Sequence, residues 1–321
     1  MSEHEFGVGS AHAKAILFGE HAVVYGAPAV AIPVPQLRVS VLARCAPERS
    51  NGVRVTDAGA GVPVPDRWSR TGADDPALRE LVTNFFVATE TRSRAIDLTV
   101  DCRIPPGRGL GSSAACARAV VYALGDLFDR PVDARLTFDL VQTAERVAHG
   151  SPSGVDTVAT GSAVPIWFQG GVAKELVMDL DGVFVIADSG VSSATSVAVS
   201  ELRRRFDGDP AAKAGFLERS ARITAAAVED LAHARVGAVG HRMTENQALL
   251  GEFGLGIAET DRLVTAAVAV GCAGAKLSGG GLGGCVVALA DVAHPVEAVE
   301  TALRVAGAVA TWTVPADLSA R

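Results

Sequence analysis

The chain has 321 residues, of which 49% are hydrophobic and 20% charged, and its formal net charge is -7. This balance is typical of a globular protein with a hydrophobic core and excludes a disordered chain. The acidic charge and an aromatic content of 5% argue against a nucleic-acid-binding surface, and no apolar run is long enough to span a bilayer. The five cysteines form no Cys-x-x-Cys pair, which favours buried, reduced thiols in a cytoplasmic protein over disulfides or zinc sites.

Hydrophobic periodicity predicts the elements of the first half of the chain. Apolar side chains between Pro76 and Thr91 share one helical face, whereas those between Ile96 and Cys102 alternate as in a strand. In chain order we predict strands over 12–19, 29–34 and 37–42, short strands or loop over 52–65, a helix over 76–91, a strand over 96–102, and helices over 114–128 and 135–149.

In the second half of the chain, helices predominate among the predicted elements. In chain order we predict strands over 163–168 and 183–187, helices from 193 to 270, a glycine cluster over 279–284, a buried strand over 285–290, a helix over 296–305 and a strand over 310–314. Strands and helices mixed without regular alternation indicate an α+β fold. We place two domains at 1–185 and 186–321, and leave open whether the last strand returns to the first domain.

The segment Ile104-Pro-Pro-Gly-Arg-Gly-Leu-Gly-Ser-Ser-Ala-Ala115 joins a predicted strand to a predicted helix. Its alternating glycines let backbone amides converge on an anion, and Ser112 and Ser113 fall at the helix start, where the dipole favours phosphate. A serine-capped turn would explain one glycine and one serine, but not the whole pattern. No Gly-Lys dipeptide occurs in the chain, so this is not a Walker loop. We predict a phosphate-binding loop of another kind.

A second glycine cluster follows Lys276. Gly279, Gly281 and Gly284 have the Gly-x-Gly-x-x-Gly spacing of dinucleotide-binding folds. That loop should open a helix, but the residues after Gly284 read as a strand, and no acidic residue ends a second strand about 20 residues on. A glycine turn between two strands, close to a ligand, fits better.

Two further segments place polar residues where a site is expected. Lys14, Glu20, His21 and Tyr25 interrupt an apolar stretch, and because burying them unpaired is costly, they either pair with each other or face a site.

The other segment runs from Glu145 to Asp156. Glu145 and His149 lie four residues apart on a helix, where they could share a metal or make a simple side-chain contact. Ser153 is a candidate cap for a helix with Asp156 in its first turn. Asp156 is then either catalytic or an acid favoured by the helix dipole.

Together these segments resemble the motifs of the GHMP kinases, and they occur along the chain in the same order as in that family. The pattern Pro-x-x-x-Gly-Leu-Gly-Ser-Ser-Ala-Ala is characteristic of the family. Within it, Lys14 followed by 19–26 resembles the mevalonate kinase branch, as does Glu145 with 149–156, whereas galactokinases carry Gly-Glu-His-Thr-Asp-Tyr. Gly280 and Leu282 stand where many members have alanine and glycine.

The resemblance implies ATP-dependent phosphorylation of (R)-mevalonate with Mg²⁺ as cofactor. The implied fold has a ribosomal S5-like N-terminal domain and a ferredoxin-like C-terminal domain. Asp156 would be the base toward the substrate hydroxyl, and Lys14 would keep it ionised. Ser113 and Glu145 would hold Mg²⁺. The implied substrate residues are Glu20, His21, Thr195 and Gly280. The implied phosphate-binding residues are Pro106, Gly107, Gly109, Leu110, Gly111, Ser112, Ser113 and Ala114.

Several alternatives stay open at this point. Phosphomevalonate or homoserine could be the substrate, although Lys14 with Asp156 is not expected in a homoserine kinase. A nicotinamide-dependent oxidoreductase and a non-catalytic nucleotide sensor are rivals of other classes. We expect neither nucleic acid nor membrane as a partner, and a homodimer is one of the assemblies left open. Adenine contacts are expected from 50–90.

Overall fold

The structure is a computed structural model that describes residues 4–47, 52–59, 75–291 and 295–318. Two compact units alternate along the chain. The first unit contains the described residues up to Lys14, with 35–106 and 111–161, and the second contains 15–34, 107–110 and the described residues from Ser162 onward. The predicted boundary between 185 and 186 falls within the second unit, so the compact units are divided at other points.

The first unit combines strands with a layer of helices. Its strands are the first part of β1 (Gly7–Phe18), the second part of β2 (Ala29–Cys45), β3 (Val53–Asp57) and β4 (Ile96–Cys102). Its helices are α1 (Pro76–Ala88), α2 (Ser112–Leu127), α3 (Ala134–His149) and α4 (Val155–Ala159). β4 pairs antiparallel with β2 and parallel with β3. Alternate residues of β4 are buried, and α1, α2 and α3 pack on one another.

The second unit is built around a four-stranded antiparallel sheet in the order β10-β7-β9-β8. Its strands are β5 (Ile166–Gln169), β6 (Val172–Glu175), β7 (Gly182–Asp188), β8 (Gly274–Ser278), β9 (Cys285–Asp291) and β10 (Ala310–Pro315). Its helices are α5 (Thr195–Gly208), α6 (Pro210–Ala232), α7 (Val236–Glu252), α8 (Ala258–Ala269) and α9 (Val296–Val305). The core between this sheet, α8 and α9 includes Val185, Leu263, Val286, Val299 and Leu303.

The α+β prediction is confirmed, and two local predictions need correction. The predicted strands 29–34 and 37–42 form the single strand β2, because the fixed φ of Pro33 and Pro35 is compatible with extended backbone. Strand β6 is not predicted from the sequence, since all four of its residues are exposed and show no apolar alternation. Strand β3 lies in the predicted 52–65 stretch. Residues 60–74, part of the 50–90 stretch expected to supply adenine contacts, lie outside the described residues.

Two further observations concern the pairing of the last strand and the length of the helices. Strand β10 pairs with β7, so the last strand lies in the second unit. Among the residues described, no helix is both long and apolar enough to cross a membrane.

Candidate active site

The predicted phosphate loop links β4 to α2. Gly107, Gly109 and Gly111 have φ of 66°, 73° and 74°, in the left-handed region that glycine adopts without penalty. Gly111 is the N-cap of α2 and contributes no side-chain oxygen to the first helical amides. An anion at the start of α2 would meet backbone amides and the positive dipole end, which is the interaction that the sequence predicts for this loop. Pro106 and Ser112 are partly exposed, and Leu110 and Ala114 are buried.

An arginine inside the loop fixes its first part within the second unit. The Arg108 guanidinium donates to Asp188 at 2.9 Å, to the Ser192 hydroxyl at 2.9 Å and to the Gly190 carbonyl at 3.1 Å. The Asp188 side chain is only 4% exposed. Neither Arg108 nor Asp188 is predicted as a site residue from the sequence, although a lone arginine among small residues was a usable signal.

The predicted catalytic pair meets in the first unit. Lys14 on β1 is 2% exposed, and its Nζ lies 2.9 Å from Oδ1 of Asp156, whose side chain is 37% exposed. A side chain at Gly111 would crowd this pair, because its Cβ would lie 3.1 Å from Lys14 Cε and 3.0 Å from a methyl of Thr160. Glycine at the start of α2 therefore lets the helix approach the lysine. A buried ammonium needs such a partner, and the pairing places charge next to the end of the phosphate loop.

The helix that carries Asp156 begins one residue later than predicted. Gly154, with φ of 95°, is the N-cap of α4, and Ser153 does not occupy that position. The Ser153 hydroxyl accepts a hydrogen bond from the Val155 amide at 3.3 Å instead. The correction has a physical cause: the chain enters α4 through a left-handed residue, which favours glycine. Asp156 is in the first turn of α4, as predicted.

The predicted metal residues also meet in the first unit. The Ser113 hydroxyl, in the first turn of α2, donates to Oε1 of the buried Glu145 on α3. His149 Nε2 lies 3.7 Å from the other carboxylate oxygen and is half exposed. Over the described part of the chain, no group of three or more His, Cys, Asp or Glu side chains could enclose a metal. A hydroxyl with one carboxylate suits Mg²⁺, which binds one or two carboxylates and takes its other oxygens from water and phosphates.

Two of the predicted substrate residues have well-defined partners in the second unit. Both oxygens of the buried Glu20 carboxylate are engaged, one by Lys276 Nζ and the other by Asn246 Nδ2 at 3.0 Å. His21 Nε2 lies 3.0 Å from the Gly280 carbonyl, and because a carbonyl only accepts, this nitrogen carries the proton. Burial lowers the pKa of His21 to about 4, against the opposing effect of that hydrogen bond, so the ring is neutral near pH 7.

Thr195 and Gly280 lie against each other in the second unit. Thr195 is exposed at the first position of α5. A Cβ at Gly280 would lie 2.1 Å from the Thr195 hydroxyl oxygen, so no side chain fits at 280 with Thr195 in this position. The close contact explains why glycine stands here. The loop 279–284 connects β8 to β9, which confirms a glycine turn between strands in place of a dinucleotide loop.

Within each unit the structure thus brings most predicted residues to a partner. In the first unit, Lys14 pairs with Asp156, and Ser113 pairs with Glu145. In the second unit, His21 and Thr195 both contact Gly280. Glu20 pairs with Lys276 and Asn246. Sequence reasoning assigned no role to Lys276 or Asn246, although a lysine in a buried strand was a signal.

Comparison with known proteins places the chain in a family. Two family models match, the GHMP kinases N terminal domain over residues 78–163 and the GHMP kinases C terminal model over 227–308. The chain is 32% identical to the mevalonate kinase of Methanothermobacter thermautotrophicus over 283 residues, 87% of this chain and 88% of that protein. It is 30% identical to the mevalonate kinase of Pyrococcus horikoshii over 315 residues, covering 94% and 92%. The chain belongs to the mevalonate kinases of the GHMP kinase family.

The fold of this mevalonate kinase family member has solved counterparts. The structure of L. major mevalonate kinase in complex with R-mevalonate superimposes with a TM-score of 0.81 at 23% identity, covering 98% of this chain and 97% of that one. The likeness shows a common two-domain α+β fold and confirms the predicted fold class. The phosphate loop, Glu145 and Asp156 all lie within the N-terminal family match, and 279–284 lies within the C-terminal match.

Proposed function

We propose that this chain transfers the γ-phosphoryl group of ATP to the 5-hydroxyl of (R)-mevalonate, giving (R)-5-phosphomevalonate. The observation that carries the proposal is the ion pair between buried Lys14 and Asp156 beside Gly111, at the start of α2. Phosphoryl transfer asks a protein mainly for positioning and charge stabilisation. A phosphate loop that ends beside a cation and a carboxylate meets those demands.

The Lys14–Asp156 pair divides the chemistry between two side chains. Asp156 accepts the proton of the attacking hydroxyl, and its 37% exposed side chain is accessible to a substrate. Lys14 Nζ, 2.9 Å away, holds that carboxylate in place through the ion pair. The same ammonium offsets negative charge on the transferring group.

Ser113 and Glu145 are the residues that would hold Mg²⁺ in this mechanism. Their oxygens are already in contact, and Ser113 lies in the helix turn that follows the phosphate loop. The chemistry that bound Mg²⁺ supplies is neutralisation of the phosphate charge. Glu145 keeps the Ser113 side chain oriented, and the backbone of 107–112 receives the phosphates.

Glu145→Gln tests the metal assignment. The amide removes a negative charge while it keeps the size of the side chain, so we expect the Mg²⁺ concentration for half-maximal rate to rise about tenfold or more. The measurement is the steady-state rate against Mg²⁺ at saturating ATP. Glu80→Gln, on the exposed face of α1, is the matched control and should leave the curve unchanged. A lower maximal rate with an unchanged Mg²⁺ dependence would contradict the assignment.

The substrate assignment rests on the second unit and on the relatives. We assign mevalonate contacts to His21 and Thr195, which each contact Gly280, and to the Gly280 backbone. We assign Glu20 a supporting role because each of its carboxylate oxygens already accepts a hydrogen bond. Relatives at 30% and 32% identity named mevalonate kinase support this substrate over phosphomevalonate or homoserine. A cytoplasmic location is part of the proposal, and it is supported by five cysteines that take part in no disulfide.

The decisive experiment is ADP release from the purified chain with mevalonate, phosphomevalonate, homoserine and galactose side by side. We expect turnover with mevalonate that exceeds the others by about 100-fold or more, because a site built to bind specific polar groups rejects ligands that lack them. No turnover with mevalonate, together with clear turnover on another alcohol, would overturn the assignment of mevalonate as substrate but leave the assignment as a kinase in place. NAD(P)H binding in place of ATP binding would overturn the reaction class.

A further inference from the structure

His21 occupies a strained turn. The Ala22 amide donates to the Glu20 carbonyl at 2.6 Å, which closes a three-residue γ-turn around His21. The central residue has φ of 59° and ψ of -42°, a backbone conformation that is rare for a residue with a side chain. Such strain persists only where the surroundings hold the turn from several sides, and it concentrates at functional sites. Something in the second unit must therefore hold this turn.

The residue before the strained position is held by a buried polar network. Lys276 on β8 forms an ion pair with Glu20, and both side chains are fully buried. Asn246 on α7 donates to the second carboxylate oxygen at 3.0 Å, and Lys276 also donates to the Leu277 carbonyl at 2.5 Å. Each oxygen of the carboxylate thus accepts from a donor on a different element of secondary structure, β8 or α7.

The residue after Glu20 is held from the same part of the unit. His21 donates to the Gly280 carbonyl in the loop that begins where β8 ends. Lys276 and Gly280 are four positions apart in the chain, so a single strand and its following loop hold both Glu20 and His21. Movement of Lys276 would therefore change the position of the imidazole relative to its own hydrogen-bond partner.

A buried ion pair is by itself poor support for stability, because apolar residues of the same volume often replace it without loss. The strained turn that it touches indicates a positional role. We propose that Lys276 and Asn246 are positioning residues: they fix the Glu20 carboxylate and thereby the γ-turn that presents His21. The role of His21 toward the substrate rests on the proposed function, whereas the placement of its ring does not.

The test removes the network without leaving a buried charge. Lys276→Met alone leaves the buried Glu20 carboxylate without its cation, which disfavours folding. The double variant E20Q/K276M is therefore the main probe, and Asn246→Leu is the second. We expect the KM for mevalonate to rise about tenfold or more in both, with the KM for ATP within about twofold of wild type. In the ligand-free protein, the ¹⁵N-resolved NMR signal of the His21 Nε2–H should lose the shift of a hydrogen-bonded donor.

Asp230→Asn is the matched control in the same unit. It breaks the contacts of Asp230 with Arg235 at 2.9 Å and Arg242 at 3.3 Å, neither of which belongs to the network around Glu20, and should lower Tm without changing either KM. Variants that fold with an unchanged KM for mevalonate and an unchanged His21 signal would overturn the proposal. If the wild-type protein phosphorylates another alcohol, the assignment of mevalonate as substrate is wrong. The positioning role of Lys276 and Asn246 is then decided by the His21 NMR signal and by the KM for that other alcohol.

Discussion

Replacing Asp156 by asparagine is expected to lower kcat by roughly 1000-fold while ATP still binds, since a positioned base contributes about 10²- to 10⁴-fold. Asparagine keeps the size of the side chain and its place in the first turn of α4 but cannot accept the proton. The phosphate loop and the Ser113–Glu145 contact involve other residues, so nucleotide affinity should persist. Steady-state ADP release and calorimetric titration with ATP measure the two effects separately.

The matched control for this variant is Asp139→Asn on α3, whose side chain is 64% exposed, and its kcat should be unchanged. The Asp156 variant should also lose thermal stability. It leaves the Lys14 ammonium, only 2% exposed, without its carboxylate. Loss of ATP affinity with the chemistry intact would contradict the assignment of Asp156 as the base.

Replacing Lys14 by methionine is expected to lower kcat by roughly 100-fold or more, because a charge that acts in a water-poor site stabilises the transition state strongly. Methionine fills the space of the lysine stem and removes only the charge. Lys14→Arg should also be impaired, since Gly111 and Thr160 leave little room for a guanidinium around Lys14 Cε. The measurement is kcat and the KM for each substrate.

Lys174→Met provides the comparison for the lysine variant, because Lys174 is exposed on β6 and should tolerate the change. The Lys14 variant should lose less thermal stability than the Asp156 variant. The carboxylate that it leaves behind is 37% exposed and reaches solvent. A kcat for Lys14→Met within about twofold of wild type would remove Lys14 from the mechanism.

Local rules explain what could be predicted for the first unit. The loop at 107–111 was predictable because alternating glycines adopt left-handed conformations that other residues avoid. The structure has such conformations at Gly107, Gly109 and Gly111, whereas phosphate binding at the helix start stays a prediction. The start of α4 was predicted one residue early at Ser153, since a side-chain cap and a glycine N-cap compete at that turn.

By itself the sequence determined the fold class, the glycine turns and which polar residues interrupt apolar stretches, since all three depend on neighbours within a few positions along the chain. Only the tertiary structure decided their partners. It paired Lys14 with Asp156, and it paired Glu20 with Lys276 and Asn246, where a substrate contact had been predicted for Glu20. Such pairings depend on which elements pack together, and hydrophobic periodicity shows which face of an element is buried but not what lies against it. The γ-turn at His21 is the clearest case, because no local pattern marks it and contacts from β8, α7 and the 279–284 loop hold it.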